Sequence, residues 1–137
     1  MAFKVIIAGG RDYDDYESAK RRYDVVLSNV GDEIEIVSGS CDDDKGVHTF
    51  TRDDGSKVYG ADGLGERYAK EKGYRVKNFF AEWRLYGKPA GPIRNKKMAK
   101  YADAAICHWD GKSKGTRSMI LLAEEFDLKL RVIKYNQ

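Results

Sequence analysis

Cysteine is scarce in this sequence: two residues, Cys41 and Cys107, in a chain of 137. That is too few for a disulfide framework and points to an intracellular protein with free thiols. No apolar run is long enough to span a membrane, so no membrane partner is expected. Neither sign of charge dominates. Twenty-five basic residues stand against 22 acidic ones for a net +3, so charge alone implies no nucleic-acid partner. Residues 1–8 hold one lysine and a short apolar run with no cleavage-site pattern, which predicts a strand rather than a signal peptide. A full GxGxxG is missing, which gives little support to ordinary dinucleotide binding. The two histidines have no zinc spacing. Linkers, low-complexity tracts and internal repeats are also lacking. What remains, 42% hydrophobic and 34% charged residues, fits one soluble globular domain over residues 1–137 with a proper core.

Along the chain, short apolar runs alternate with stretches of helical spacing. Residues 3–8 read as a strand ending in the turn Gly9-Gly10. Asp14 or Asp15 can cap a helix to about residue 28, with Tyr16, Ala19, Tyr23 and Leu27 at helical spacing. Residues 33–38 read as a second strand, followed by Ser38-Gly39-Ser40. Residues 41–59 then break the rhythm. A charge cluster leads into two short β-prone runs around Asp53-Asp54-Gly55-Ser56, which predicts a hairpin inserted at the carboxyl edge of the sheet.

The pattern resumes with a helix carrying Leu64, Tyr68 and Ala69 to Gly73, a strand over 74–79, and a loop over 81–90. Gly91-Pro92 opens a helix to Tyr101, residues 104–109 form a buried strand, and a last helix and strand follow, the strand over 129–134. Strands alternating with helices predict the α/β class. The expected architecture is a Rossmann-like three-layer sandwich with a mostly parallel five-stranded sheet and the inserted β-hairpin.

Such sheets bind ligands outside the carboxyl ends of the strands, where the strand order reverses. Three small-residue turns are expected there: Gly9-Gly10, Ser38-Gly39-Ser40, and the glycine loop over 110–116. In that loop Asp110, Gly111, Ser113, Gly115 and Thr116 let backbone N–H groups approach an anion closely, with Thr116 able to cap the helix. Arg94 offers a forked donor to a phosphate, with Asn95 beside it. Arg11 and Asp12 follow the first turn; Asp12 can bind a ribose hydroxyl or pair with Arg11. Trp83 and Tyr86 can stack on a purine or pack as a lid. Asp42, Asp43 and Asp44 with Cys41 and His48 resemble a calcium loop only faintly, since the flanking helices and bidentate glutamate are missing; a solvated hairpin base is expected, and no metal. Cys107 is expected as a small buried strand residue and His108 as packed or half-exposed.

In order along the chain, Gly9-Gly10-Arg11-Asp12-Tyr13, Ser38-Gly39, Gly60-Ala61-Asp62, Trp83, Gly87-x-x-Ala90-Gly91-Pro92-x-Arg94-Asn95-x-x-Met98 and Trp109-Asp110-Gly111-x-Ser113-x-Gly115-Thr116 are all present. This set resembles the YspA-type, cpYpsA-related branch of the SLOG superfamily over nearly the whole chain. The resemblance implies a Rossmann-like domain that binds a nucleotide or a nucleotide-derived molecule such as an ADP-ribose-type signal. It implies a cytoplasmic, homo-oligomeric protein of a bacterial or phage-infected cell, one that senses or sequesters such a signal, with interception of an immune signal as the phage-encoded role.

Some members of the superfamily, the LOG phosphoribohydrolases, cleave the N-glycosidic bond of nucleoside 5′-monophosphates; DprA-type members bind single-stranded DNA. In the LOG enzymes a catalytic glutamate follows Pro-Gly-Gly-x-Gly-Thr. Here Arg117, Ser118 and Met119 follow Thr116, so that glutamate is missing. Binding without chemistry is the leading expectation, with no cofactor. The alternative is an N-glycoside or phosphoribosyl hydrolase using Asp12, Glu82 or Asp110, and Asp62 is the fourth carboxylate expected at a loop tip. DprA-like nucleic-acid binding ranks last.

Overall fold

Val5, Ile6 and Ile7 lie side by side in the first strand, and none is exposed. Successive strand residues face opposite ways, so both faces of this strand must be covered, as in a parallel sheet between helical layers. The computed structural model describes residues 2–39 and 49–136 and has that arrangement. Five strands, β1 (Ala2–Gly9), β2 (Glu33–Ser38), β5 (Arg75–Asn78), β6 (Ala104–Trp109) and β7 (Lys129–Lys134), form one sheet in the order β5-β2-β1-β6-β7. Every pairing in it is parallel. The "mostly parallel" sheet is thus wholly parallel, and the fold is Rossmann-like α/β.

The two helical layers sort by strand parity. Val5, Ile7, Ile36 and Ile106 face α1 (Tyr16–Leu27) and α2 (Gly60–Lys72), packing with Tyr16, Ala19, Tyr23, Leu27, Leu64 and Tyr68. Ile6, Val37, Ala105 and Cys107 face α4 (Ala90–Tyr101) and α5 (Lys114–Glu125), packing with Met98, Ala99, Met119 and Ala123. Burial pushes the Cys107 thiol up to about 12, which keeps it a neutral packing group. The chain leaves β1 toward β2 on one side and enters β6 on the other, so the order reverses between β1 and β6.

The insertion is a separate antiparallel hairpin, β3 (Thr49–Thr51) and β4 (Lys57–Tyr59), with Phe50 opposite Val58. Its turn closes through Arg52 N–H to Ser56 O at 2.8 Å, and Asp54 accepts from the Ser56 N–H and hydroxyl at 2.9 and 2.6 Å. Val58 is fully buried against α2. Cys41, Asp42, Asp43, Asp44 and His48, together with Ser40 of the second turn, lie outside the described residues. Where a plain loop is expected over 81–90, a single helical turn, α3 (Trp83–Tyr86), forms. Among the described residues, no helix is long and apolar enough to cross a membrane.

Candidate functional site

At the carboxyl end of the sheet, over the point where strand order reverses, lies a cleft of about 1410 Å³. Of the ligand-binding residues expected from sequence, Gly9, Gly10, Arg11, Asp12, Gly39, Trp83, Arg94, Asn95, Asp110, Ser113, Gly115 and Thr116 line it. Ser38 and Gly111 do not. Ser38 is buried, and its hydroxyl donates to Glu66 at 2.8 Å.

The glycine loop is organised from within. The Asp110 carboxylate accepts the N–H groups of Lys112 and Ser113, both at 2.8 Å, and those bonds hold it below the usual carboxylate range. Trp109 Nε1 donates to Ser113 O at 3.1 Å. Ser113, not Thr116, caps α5: its Oγ faces the Thr116 N–H at 3.4 Å, and the Thr116 hydroxyl donates to it at 3.2 Å. Serine and threonine three residues apart are both acceptable caps, and helix entry one turn earlier selected the serine. Two loop N–H groups expected to face an anion are therefore already used. The N–H groups of Lys114 and Gly115, in the first turn of α5, donate to no partner among the described residues and carry the helix's positive end into the cleft.

Arg94 projects from the first half of α4 toward the second turn. Nε donates to Asn95 Oδ1 at 2.9 Å and Nη1 donates to Gly39 O. A Cβ on Gly39 would lie 3.1 Å from that nitrogen, so the guanidinium sits flat against a residue with no side chain. Its orientation is fixed by protein, and Nη2 makes no hydrogen bond among the described residues.

The four candidate carboxylates separate clearly. Asp110 is committed to backbone. Asp12 Oδ1 accepts from the Tyr135 hydroxyl at 2.7 Å. Glu82 stands before α3, does not line the cleft, and caps that turn with no side-chain bond. Asp62 is in the first turn of α2 rather than at a loop tip, and it lines the cleft. It makes no hydrogen bond or ion pair among the described residues. Burial pushes it from 3.8 up to about 6, against the opposing pull of Arg94, Arg11 and Arg52 and with Glu66 adding to the rise.

Helix α2 can begin beside the cleft because of Gly60. Its φ is +69°, and a Cβ there would come within 2.4 Å of Arg11 Cα and 2.6 Å of Gly10 O. The Ala61 N–H donates to that same Gly10 carbonyl at 3.1 Å.

Sequence reasoning missed the hairpin's share of the site. Gly55, Ser56 and Lys57 line the cleft, as do Phe80 and Ala81. It also missed the support beneath the first turn. His108 is fully buried, with Nε2 2.5 Å from Tyr23 Oη, Tyr13 stacked on its ring at 4.1 Å, and Gly10 N–H bonded to its carbonyl at 3.2 Å. Burial pushes it down to about 4, so it is neutral at physiological pH. Its Nδ1 is buried without a partner. A histidine 85 residues from its tyrosine leaves no local signal for this contact. Comparison of the chain with protein-family models, curated proteins and solved structures gave no match.

Proposed function

We propose that this protein binds a nucleotide-derived small molecule, a nucleotide or an ADP-ribose-type signal, with its phosphate held between Arg94 and the N-terminus of α5. One observation carries the reading: an arginine fixed by Gly39 and Asn95 and two helix N–H groups without a partner among the described residues border the same cleft at the strand-order reversal. A preorganised forked cation and a helix N-terminus together suit a phosphate better than a carboxylate or a neutral group. Asp12, held by Tyr135, and Asp62 supply acceptors for sugar hydroxyls. The protein senses or sequesters its ligand in the cytoplasm, as a homo-oligomer; interception of a nucleotide signal in a phage-infected bacterium is the matching role, in keeping with the SLOG resemblance.

Asp62 favours a second reading. A cleft carboxylate with no hydrogen-bond partner among the described residues, pushed by burial up to about 6, is suited to proton transfer at neutral pH, so an N-glycoside or phosphoribosyl hydrolase would use Asp62 in place of Asp12, Glu82 or Asp110. DprA-like binding of single-stranded nucleic acid has no such observation behind it.

Incubation with AMP and ADP-ribose, followed by chromatography, separates the two readings. Intact ligand recovered from denatured protein supports sequestration. Free base with ribose phosphate supports the hydrolase and contradicts pure binding.

A further inference from the structure

We propose that the hairpin and the segment leading into α3 form a second subsite of this cleft, one that takes a flat heteroaromatic ring. The preferred ligands are then base-bearing nucleotides rather than sugar phosphates. This inference rests on the phosphate reading above and adds the other end of the ligand.

The cleft is large for a phosphate site alone: about 1410 Å³, against roughly 300–1,000 Å³ for a typical small-molecule pocket. Away from Arg94 and α5 its lining changes character. Gly55, Ser56 and Lys57 of the hairpin stand with Phe80, Ala81 and Trp83. Phe80 is 56% exposed and Trp83 54%, so two aromatic side chains that line the cleft remain open to solvent. Stacking a base on such a ring is worth about 1–3 kcal/mol, and it tolerates any base because each has a π-face.

The aromatic wall is positioned, not loose. The edge of the Trp83 ring reaches Gly91, where a Cβ would meet Cη2 at 3.3 Å. Gly91 and Arg94 belong to the same helix, α4, and lie three residues apart. The α4 residue that the Trp83 ring touches and the one that carries the phosphate clamp are therefore about one turn, or about 5 Å, apart along one helix.

Arg52 ties the hairpin to this wall. Nε and Nη2 donate to both Glu66 oxygens at 2.9 and 3.2 Å, Nη1 donates to Ser56 Oγ at 3.0 Å, and the guanidinium lies 5.7 Å from the centre of the Phe80 ring. Glu66 is 4% exposed and is also bonded by Ser38 at the end of β2. One side chain thus ties the hairpin turn, the aromatic wall and helix α2 together. Arg52 is a positioning residue, setting where Ser56 and Phe80 stand.

AMP and ribose 5-phosphate differ only by the base, so calorimetric titration of the full chain with both isolates the subsite. The wild type is expected to prefer AMP by about ten-fold or more. Trp83→Ala and Phe80→Ala should each collapse that ratio toward one, and Arg52→Ala should lower it several-fold. Arg94→Ala should weaken both ligands and leave the ratio near its wild-type value. Thermal melting of each variant separates lost folding from lost selectivity. Equal affinity of the wild type for the two ligands, or an unchanged ratio in Trp83→Ala and Phe80→Ala, would overturn the ring subsite while leaving the phosphate reading intact. Binding of neither ligand would overturn the phosphate reading itself, and this inference with it.

Discussion

Two helices begin at the cleft, on opposite terms. Helix α5 is capped by Ser113, and its loop is closed by Asp110, which uses its charge on Lys112 and Ser113 N–H groups. Helix α2 begins on a left-handed glycine, borrows a carbonyl from the first turn, and carries in Asp62 a carboxylate with no hydrogen-bonding partner among the described residues. The first end is electrostatically settled and offers two N–H groups. The second is held together by tertiary contact and keeps an acid near neutral pH in reserve. The comparison teaches that a well-formed glycine loop uses much of its own hydrogen-bonding capacity. The less regular start of α2 retains the chemically open group.

The largest test of the α2 side is Glu66. It sits one turn beyond Asp62 and holds Arg52 and Ser38 in a nearly buried network. Glu66→Ala removes the carboxylate paired with a largely buried guanidinium, and unfolding by denaturant should show a loss of about 3–5 kcal/mol. A loss below about 1 kcal/mol would mean the network is surface-like and the hairpin is not anchored.

The next effect is a gain. Asp62 has a folded pKa of about 6, above its unfolded value of 3.8, so the folded state binds more protons between those limits. Stability from this group therefore falls as pH rises through that window, and the penalty is complete above it. Asp62→Asn removes the penalty. The variant should be more stable than wild type at pH 8 by about 1–3 kcal/mol and equal to it near pH 3. Stability curves that run parallel at all pH values would show that Asp62 is ordinarily solvated. Such a result would erase the difference between the two helix ends.

The smallest effect belongs to α5. Ser113→Ala removes the cap and should cost about 1 kcal/mol by thermal or denaturant unfolding. A cost as large as that of Glu66→Ala would make the glycine loop, not the α2 junction, the structural centre of the site.

Much of this architecture was readable from residue order. Three consecutive buried residues in β1 mark a strand covered on both faces, and Tyr16, Ala19, Tyr23 and Leu27 mark the inner face of α1. The Asp53-Asp54-Gly55-Ser56 turn marked the hairpin, since its geometry is local. The turns that line the cleft were also legible, because small residues after a strand have few other uses.

What was hidden depends on distance. Arg52 meets Glu66 across 14 residues and Tyr23 meets His108 across 85, so neither pair has a periodic signature. Asp62 looked like a loop residue because Gly60 and Gly63 flank it. Docking of Val58 and the Gly10 carbonyl against that stretch makes it helix. Glu82 looked available for chemistry, but it does not line the cleft, although Ala81 and Trp83 on either side of it do.

The central claim is that Arg94 and the N-terminus of α5 together hold a phosphate. Its most direct test is calorimetric titration of wild type and Arg94→Ala with ADP-ribose at neutral pH and low salt. The account predicts saturable one-site binding by the wild type and a loss of at least about ten-fold in the variant, as expected for removing a charge-assisted pair. Equal affinity in the two proteins would contradict it.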